Sequence, residues 1–170
     1  DRYGGTMLGT SRTNPYNPNN DRSKLVLENI EKLNLDALIA IGGDDTLGVA
    51  ERLIREGINV VGIPKTIDKD MVETDYTLGF ESAVNVITEE VDRLRTTAGS
   101  HQSIFVVETM GRHTGWLALE GGESCGAYII LIPECDFSME KVNDLLLEGR
   151  KEGNRYEILR LLVLLPPKVQ

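Results

Sequence analysis

The chain has 170 residues, a formal net charge of −9 and only 5% aromatic side chains. That length can bury one substantial core, while the acidic balance argues against nucleic acid or an anionic membrane as the main partner, since both favour basic surfaces. The longest apolar runs, 127–133 and 161–167, are far too short to span a bilayer.

Residues 1–20 are rich in Gly, Thr, Asn and Pro and are expected to be loop. Within them Gly9-Thr10-Ser11-Arg12 sets an arginine beside small hydroxyls, a residue that in such a loop is ordinarily just solvated. Leu25, Leu27, Ile30 and Leu33 predict a helix over 23–33. Residues 36–41, nearly continuous in Ala, Leu and Ile, predict a strand covered on both faces. It runs into Gly42-Gly43-Asp44-Asp45-Thr46, after which Leu47, Ala50, Leu53 and Ile54 mark one face of a helix over 46–56. Gly57 stops that helix where a left-handed conformation is needed.

A second strand is expected over 60–63, followed by a long polar loop over 64–78 containing Pro64-Lys65-Thr66-Ile67-Asp68-Lys69-Asp70. Long ordered loops in compact domains tend to be functional. Phe80, Ala83, Val84, Ile87, Val91 and Leu94 recur at three- and four-residue spacing and predict the longest helix, over 80–97. Glu81, Glu89, Glu90 and Asp92 form its solvated face. A third strand over 104–107 ends in Glu108-Thr109-Met110-Gly111-Arg112-His113-Thr114-Gly115. A short helix through Trp116 and Leu119 follows, with Trp116 expected in core or interface packing. Residues 127–132 predict a fourth strand, Ser138 opens a helix with Val142, Leu145 and Leu146, and 159–165 predict a fifth strand. Cys125 and Cys135, ten apart and without metal spacing, are expected to be partly buried, reduced thiols of a cytoplasmic protein.

This alternation predicts an α/β fold, a doubly wound, mostly parallel sheet with helices on both faces. We expect one domain over 1–170, and the start at Asp1 and the end after Pro166-Pro167 suggest an internal piece of a longer chain. Ligands of such sheets bind outside the carboxyl ends of the strands. Three consecutive strand ends carry the polar loops. Glycines there allow a backbone to approach a bulky anion. The pairs Asp44/Asp45 and Asp68/Asp70 would repel phosphate unless a hard cation sat between them, and Mg²⁺ takes one or two carboxylates plus phosphates. The pattern points to metal-assisted phosphoryl chemistry. Each piece also has a plainer explanation: a tight turn for Gly-Gly-Asp, loop-stabilising aspartates for Asp68 and Asp70, a solvated lysine for Lys65. His101 and His113 are too few and too isolated for a metal site.

Gly42-Gly43-Asp44-Asp45, then Thr66-Ile67-Asp68 with Asp70, then Met110-Gly111-Arg112 resemble the phosphofructokinase family in order and separation. Asp92-Arg93-Leu94-Arg95 and Ser100-His101-Gln102 also look familial, and the resemblance runs to about Arg150. It implies a partial, Rossmann-like phosphofructokinase fold and transfer of a phosphoryl group to the 1-hydroxyl of fructose 6-phosphate, giving fructose 1,6-bisphosphate in glycolysis. It further implies Mg²⁺ as cofactor and a cytoplasmic homodimer or homotetramer. By the same resemblance Asp68 is the general base, Asp44 organises the metal and Asp70 supports it. Thr66 meets substrate or phosphoryl oxygen, and Arg12 neutralises the transferring group. Lys65 joins the catalytic set, while Thr66, Ile67, Asp68, Met110, Gly111 and Arg112 bind fructose 6-phosphate.

ATP-using members commonly have glycine where this chain has Asp45 and Lys65, so the pair resembles the pyrophosphate-dependent branch. A carboxylate at 45 fills and repels the space of an ATP α-phosphate, and a lysine at 65 suits a small, highly charged leaving group. Three departures stand beside this. Ser103 replaces an arginine that reaches a neighbouring subunit's sugar phosphate, Lys69 replaces an asparagine, and 155–170 match poorly, without the family's glutamate. The alternatives are an ATP-dependent enzyme and a non-catalytic subunit. A generic nucleotide-binding module is disfavoured by the lack of GxGxxG or GxxxxGK[ST].

Overall fold

A computed structural model describes residues 5–7, 9–111, 114–151 and the backbone of 162–164. Its internal contacts divide the chain into two compact units, Asp1–Ile63 and Pro64–Gln170.

In unit 1 the expected loop contains a small antiparallel hairpin, β1 (Tyr16–Asn17) and β2 (Asn20–Asp21), with Tyr16 opposite Asp21. The Asn17 carboxamide accepts the Asn19 N–H at 3.0 Å and the Pro15 carbonyl accepts that of Arg22 at 2.7 Å, which closes the turn locally. Helix α1 (Ser23–Lys32) follows, its first N–H taken by the Asp21 carboxylate at 2.8 Å. Strand β3 (Leu38–Gly42) lies beside β4 (Val60–Thr66), and helix α2 (Asp44–Arg55) connects them. The small core of this unit includes Ile30, Ala50 and Leu53.

Two expectations change here. Helix α2 begins at Asp44, not at residue 46, because Gly43 serves as its extended N-cap and the two aspartates favour the positive end of the helix dipole. The continuous apolar run of β3 is not covered on both faces among the described residues. Its burial alternates, with Ile39 and Ile41 exposed.

Strand β4 carries the chain into unit 2, where it reaches Thr66 rather than ending at residue 63. Lys65 and Thr66 pair in parallel with Leu78 and Gly79 of a short strand, β5 (Leu78–Gly79). The polar loop is therefore 67–77. Helix α3 (Phe80–His101) is the longest element and runs past the expected end at residue 97 until Gln102 turns left-handed at φ 51°. Strand β6 (Val106–Glu108), helix α4 (Trp116–Ser124) and helix α5 (Met139–Lys151) follow. Strand β7 (Leu162–Leu164) pairs in parallel with β6, Val107 opposite Val163.

Unit 2 owes its core to close approach of α3 and α4. Val91, Ala98, Ala118 and Cys125 are buried together, and Phe80, Val84 and Leu117 form a second cluster that Ile67 joins. A Cβ on Gly121 would come within 3.0 Å of the Ile87 side chain, so glycine sets that spacing. The segment 127–132 is not the predicted strand: it forms no ladder among the described residues. Its apolar side chains pack instead: Leu131 is buried, and Ala127, Ile130 and Ile132 lie partly buried against the first cluster. Cys125 is buried as expected, but Cys135 is exposed, and both thiols are free. No helix among the described residues is long and apolar enough to cross a membrane.

Candidate active site

Unit 1 holds the first polar loop. Asp44 and Asp45 are exposed on the opening turn of α2, whose N-cap Gly43 offers no side-chain hydrogen bond. Gly42 is buried, and a Cβ there would stand 2.5 Å from Thr46 Oγ1 and 2.6 Å from Thr46 Cβ. Packing of the strand end against the helix start thus accounts for one of the two glycines without any ligand. Arg12 is exposed in the loop before β1, next to a Ser11–Thr13 hydroxyl pair at 2.7 Å.

Unit 2 holds the second and third polar loops and joins them. Thr66 Oγ1 accepts the Asp68 N–H at 3.2 Å, which curls the chain just after β4. The Asp68 carbonyl accepts the Thr114 hydroxyl at 2.7 Å, which ties the loop after β4 to the loop after β6. Thr77 donates to the Thr66 carbonyl at 2.6 Å and closes the far side. Ile67 points into the Phe80 cluster, an anchor that leaves Asp68 half-buried. Lys65 is exposed at the end of β4.

Asp70 is half-buried, and its Oδ1 is fully shielded with no hydrogen-bond partner among the described residues. An orphaned carboxylate oxygen is costly, and a hard cation that takes carboxylate oxygen would relieve that cost. The residues present therefore fit magnesium in the sense of one or two protein carboxylates with phosphates and water. They do not form a full protein cage, since no group of three or more His, Cys, Asp or Glu that could hold a metal lies among the described residues.

Met110 is exposed and Gly111 half-buried after β6, whereas Arg112 and His113 lie outside the described residues. Thr109 is buried, and its hydroxyl oxygen has no partner among the described residues. The start of α4 is closed by the protein itself, because Glu134 Oε1 accepts the Gly115 N–H at 2.8 Å.

Sequence reasoning missed one feature. Lys69, between the two aspartates, adopts φ 53° and sends its ammonium to Glu120 Oε1 at 2.5 Å. The same Nζ lies 4.6 Å from the ring centre of Tyr76, 4.9 Å from Phe80 and 5.0 Å from Trp116. The hydrogen bond to Glu120 holds the Lys69 pKa above the ordinary lysine value, against an opposing effect of burial. Trp116 is accordingly not a core residue: it is 44% exposed and serves as one wall of this cation site. No local pattern links Lys69 to a carboxylate 51 residues away.

Comparison with known proteins adds the following. A family model described as phosphofructokinase matches residues 1–165. The chain is 52% identical over 158 residues to a pyrophosphate–fructose 6-phosphate 1-phosphotransferase of Dictyoglomus thermophilum, covering 93% of this chain and 45% of that one. It is 41% identical over 161 residues to an ATP-dependent 6-phosphofructokinase 3 of Bacteroides thetaiotaomicron, covering 92% of this chain and 48% of that one. Pichia pastoris phosphofructokinase, in a crystal structure of its T-state, superposes with a TM-score of 0.83 at 26% identity, over 98% of this chain and 18% of that one. The chain spans about half the length of these two curated relatives.

Proposed function

Because this chain belongs to the phosphofructokinase family, we propose that the protein carrying it transfers a phosphoryl group from pyrophosphate to the 1-hydroxyl of fructose 6-phosphate. The observation that carries this reading is the second polar loop, the one that follows β4 in unit 2. Asp68 is held through its own backbone by Thr66 and Thr114, and two residues on Asp70 keeps a shielded oxygen without a partner among the described residues. A fixed base beside an unsatisfied carboxylate is what metal-assisted phosphoryl transfer requires.

In this proposal the 1-hydroxyl oxygen attacks the donor phosphorus, its proton passes to the Asp68 carboxylate, and the phosphorus–oxygen bond to the leaving phosphate breaks. Thr66 has its hydroxyl hydrogen available for a substrate or phosphoryl oxygen, since among the described residues its Oγ1 only accepts, from Asp68. On the family resemblance, Asp44 and Asp70 are each proposed as residues for magnesium, which would neutralise charge on the donor and the transferring group. Arg12 and Lys65, both exposed, supply positive charge to phosphoryl oxygens and the leaving phosphate. Met110, Gly111 and Arg112 receive fructose 6-phosphate. We place the enzyme in the cytoplasm as a homodimer or homotetramer, on the family resemblance.

Donor choice rests on Asp45, an exposed carboxylate on the first turn of α2, and the higher identity to a pyrophosphate-named relative than to an ATP-named one supports it. The ATP reading stays in play because the latter likeness also covers 92% of the chain. Initial rates with Mg-pyrophosphate and Mg-ATP, using fructose 6-phosphate as acceptor and the complete protein, separate the two. We expect turnover with pyrophosphate and a gain of ATP use in Asp45→Gly. Turnover with ATP alone would overturn the donor assignment, and silence with both donors would leave the non-catalytic subunit as the better account.

A further inference from the structure

We propose that Lys69 is a positioning residue for Asp68 and Asp70: its ammonium, tied to Glu120 and seated against Tyr76, Phe80 and Trp116, holds the loop between the two aspartates in one shape. The inference rests on the phosphotransferase reading for the roles of the aspartates, but its geometry is independent of it.

A long side chain at φ 53° is uncommon, and such a conformation persists only where its surroundings enforce it. Here the enforcement is visible. Glu120 and Trp116 belong to α4, Phe80 opens α3, and Tyr76 lies in the same loop, so one ammonium pins the loop to two helices. The Thr114 hydroxyl on the Asp68 carbonyl fixes the loop one residue earlier. Neighbours one step apart along a turn cannot all point the same way. Holding Lys69 toward the helices restricts where the carboxylates on either side can go.

The charge arrangement makes the same point. Glu120 from α4 neutralises the ammonium at 2.5 Å, with Tyr76 from the loop and Glu81 from α3 as weaker electrostatic neighbours. Lys69 is therefore not a cation offered to the donor phosphates, unlike the exposed Lys65. With Glu120 in place, the ammonium is held toward α4; without it, the freed ammonium would be the cation next in sequence to both Asp68 and Asp70.

The test uses the complete protein and three variants. Lys69→Gly suits the left-handed backbone while deleting the tether, Lys69→Arg keeps a cation for Glu120, and Glu120→Gln removes the partner. We expect Lys69→Gly to lower kcat about 10- to 100-fold, the loss typical of a misplaced reacting group. KM for fructose 6-phosphate and the melting temperature should stay near wild type, with faster hydrogen exchange at the Asp68 and Asp70 amides. Lys69→Arg should restore kcat to within a few-fold. Glu120→Gln should speed hydrogen exchange at the Asp68 and Asp70 amides and lower kcat in the same direction as Lys69→Gly, by a smaller factor. Wild-type kcat and unchanged exchange in Lys69→Gly would overturn the proposal. Should that variant not fold, wild-type kcat and unchanged amide exchange in Glu120→Gln would do so. If wild type itself transfers nothing from either donor, the proposed function fails, while amide exchange in Lys69→Gly still decides whether the tether exists.

Discussion

At Gly42 a methyl group would arrive 2.6 Å from Thr46 Cβ, well inside any real carbon–carbon contact, and backbone shift is the only relief. Gly42→Ala should therefore lower stability by about 1–3 kcal/mol, the usual range for overpacking, as read from a urea midpoint. An unchanged midpoint would mean that the first turn of α2 yields easily. Asp70 sets the opposite case. Its shielded Oδ1 has no partner among the described residues, so Asp70→Asn should raise the melting temperature in metal-free buffer by removing an uncompensated charge. The same variant should lose most of the stabilisation that wild type gains from added Mg²⁺. A lower metal-free melting temperature would show that the carboxylate is satisfied as it stands. Of these two residues, the glycine's reason is packing and the aspartate's is chemistry, though both lie in motifs that drew the same functional reading.

Helix α2 shows how an element is fixed from both ends. Acidic Asp44 and Asp45 stand at its positive end and basic Arg52 and Arg55 at its negative end. Gly57 at φ 89° lets the chain turn back, with the Ile58 N–H reaching the Leu53 carbonyl at 3.0 Å. Gly57→Ala should cost roughly 1–2 kcal/mol, the penalty of the left-handed region for a residue with Cβ, measurable by thermal unfolding. The hairpin is clamped to the end of this helix: Tyr16 donates to Glu56 Oε2 at 3.0 Å, and the Arg52 guanidinium sits 5.1 Å over its ring. Burial and then the Glu56 carboxylate push the Tyr16 pKa up from 10.0 to about 12. A raised pKa means the folded state holds the proton more tightly. The clamp's contribution is thus complete below pH 10 and is lost as pH rises through about 12. Stability followed between these limits should fall more steeply in wild type than in Tyr16→Phe, and equal slopes would show that Tyr16 is not the titrating group.

Over the whole molecule, a net charge of −9 opposes capture of a polyanion. Under the proposed function, removing Mg²⁺ with a chelator should abolish phosphoryl transfer and adding it back should restore it. Turnover that survives chelation would assign the phosphates to Arg12 and Lys65 alone. Much of the architecture was legible in advance wherever its cause is local. Apolar spacing marked α1, α3 and α5, Gly57 marked the end of α2, and strand-end composition marked the loops that carry Asp44, Asp68 and Met110. Family motifs in order then sufficed for membership, because such strings encode backbone conformations and charges that do not depend on distant partners. Tertiary structure alone decided the rest. Strand β4 reaches Thr66 because Leu78 and Gly79 pair with its end, and 127–132 packs without a ladder because Ala127, Ile130 and Ile132 lie against the cluster that α3 and α4 build. Lys69, which reads as a stray substitution in a known motif, acquires its role from Glu120, 51 residues away. A periodicity reports which side chains avoid water, but it cannot say which surface they find, and a charge reports its sign without naming its partner.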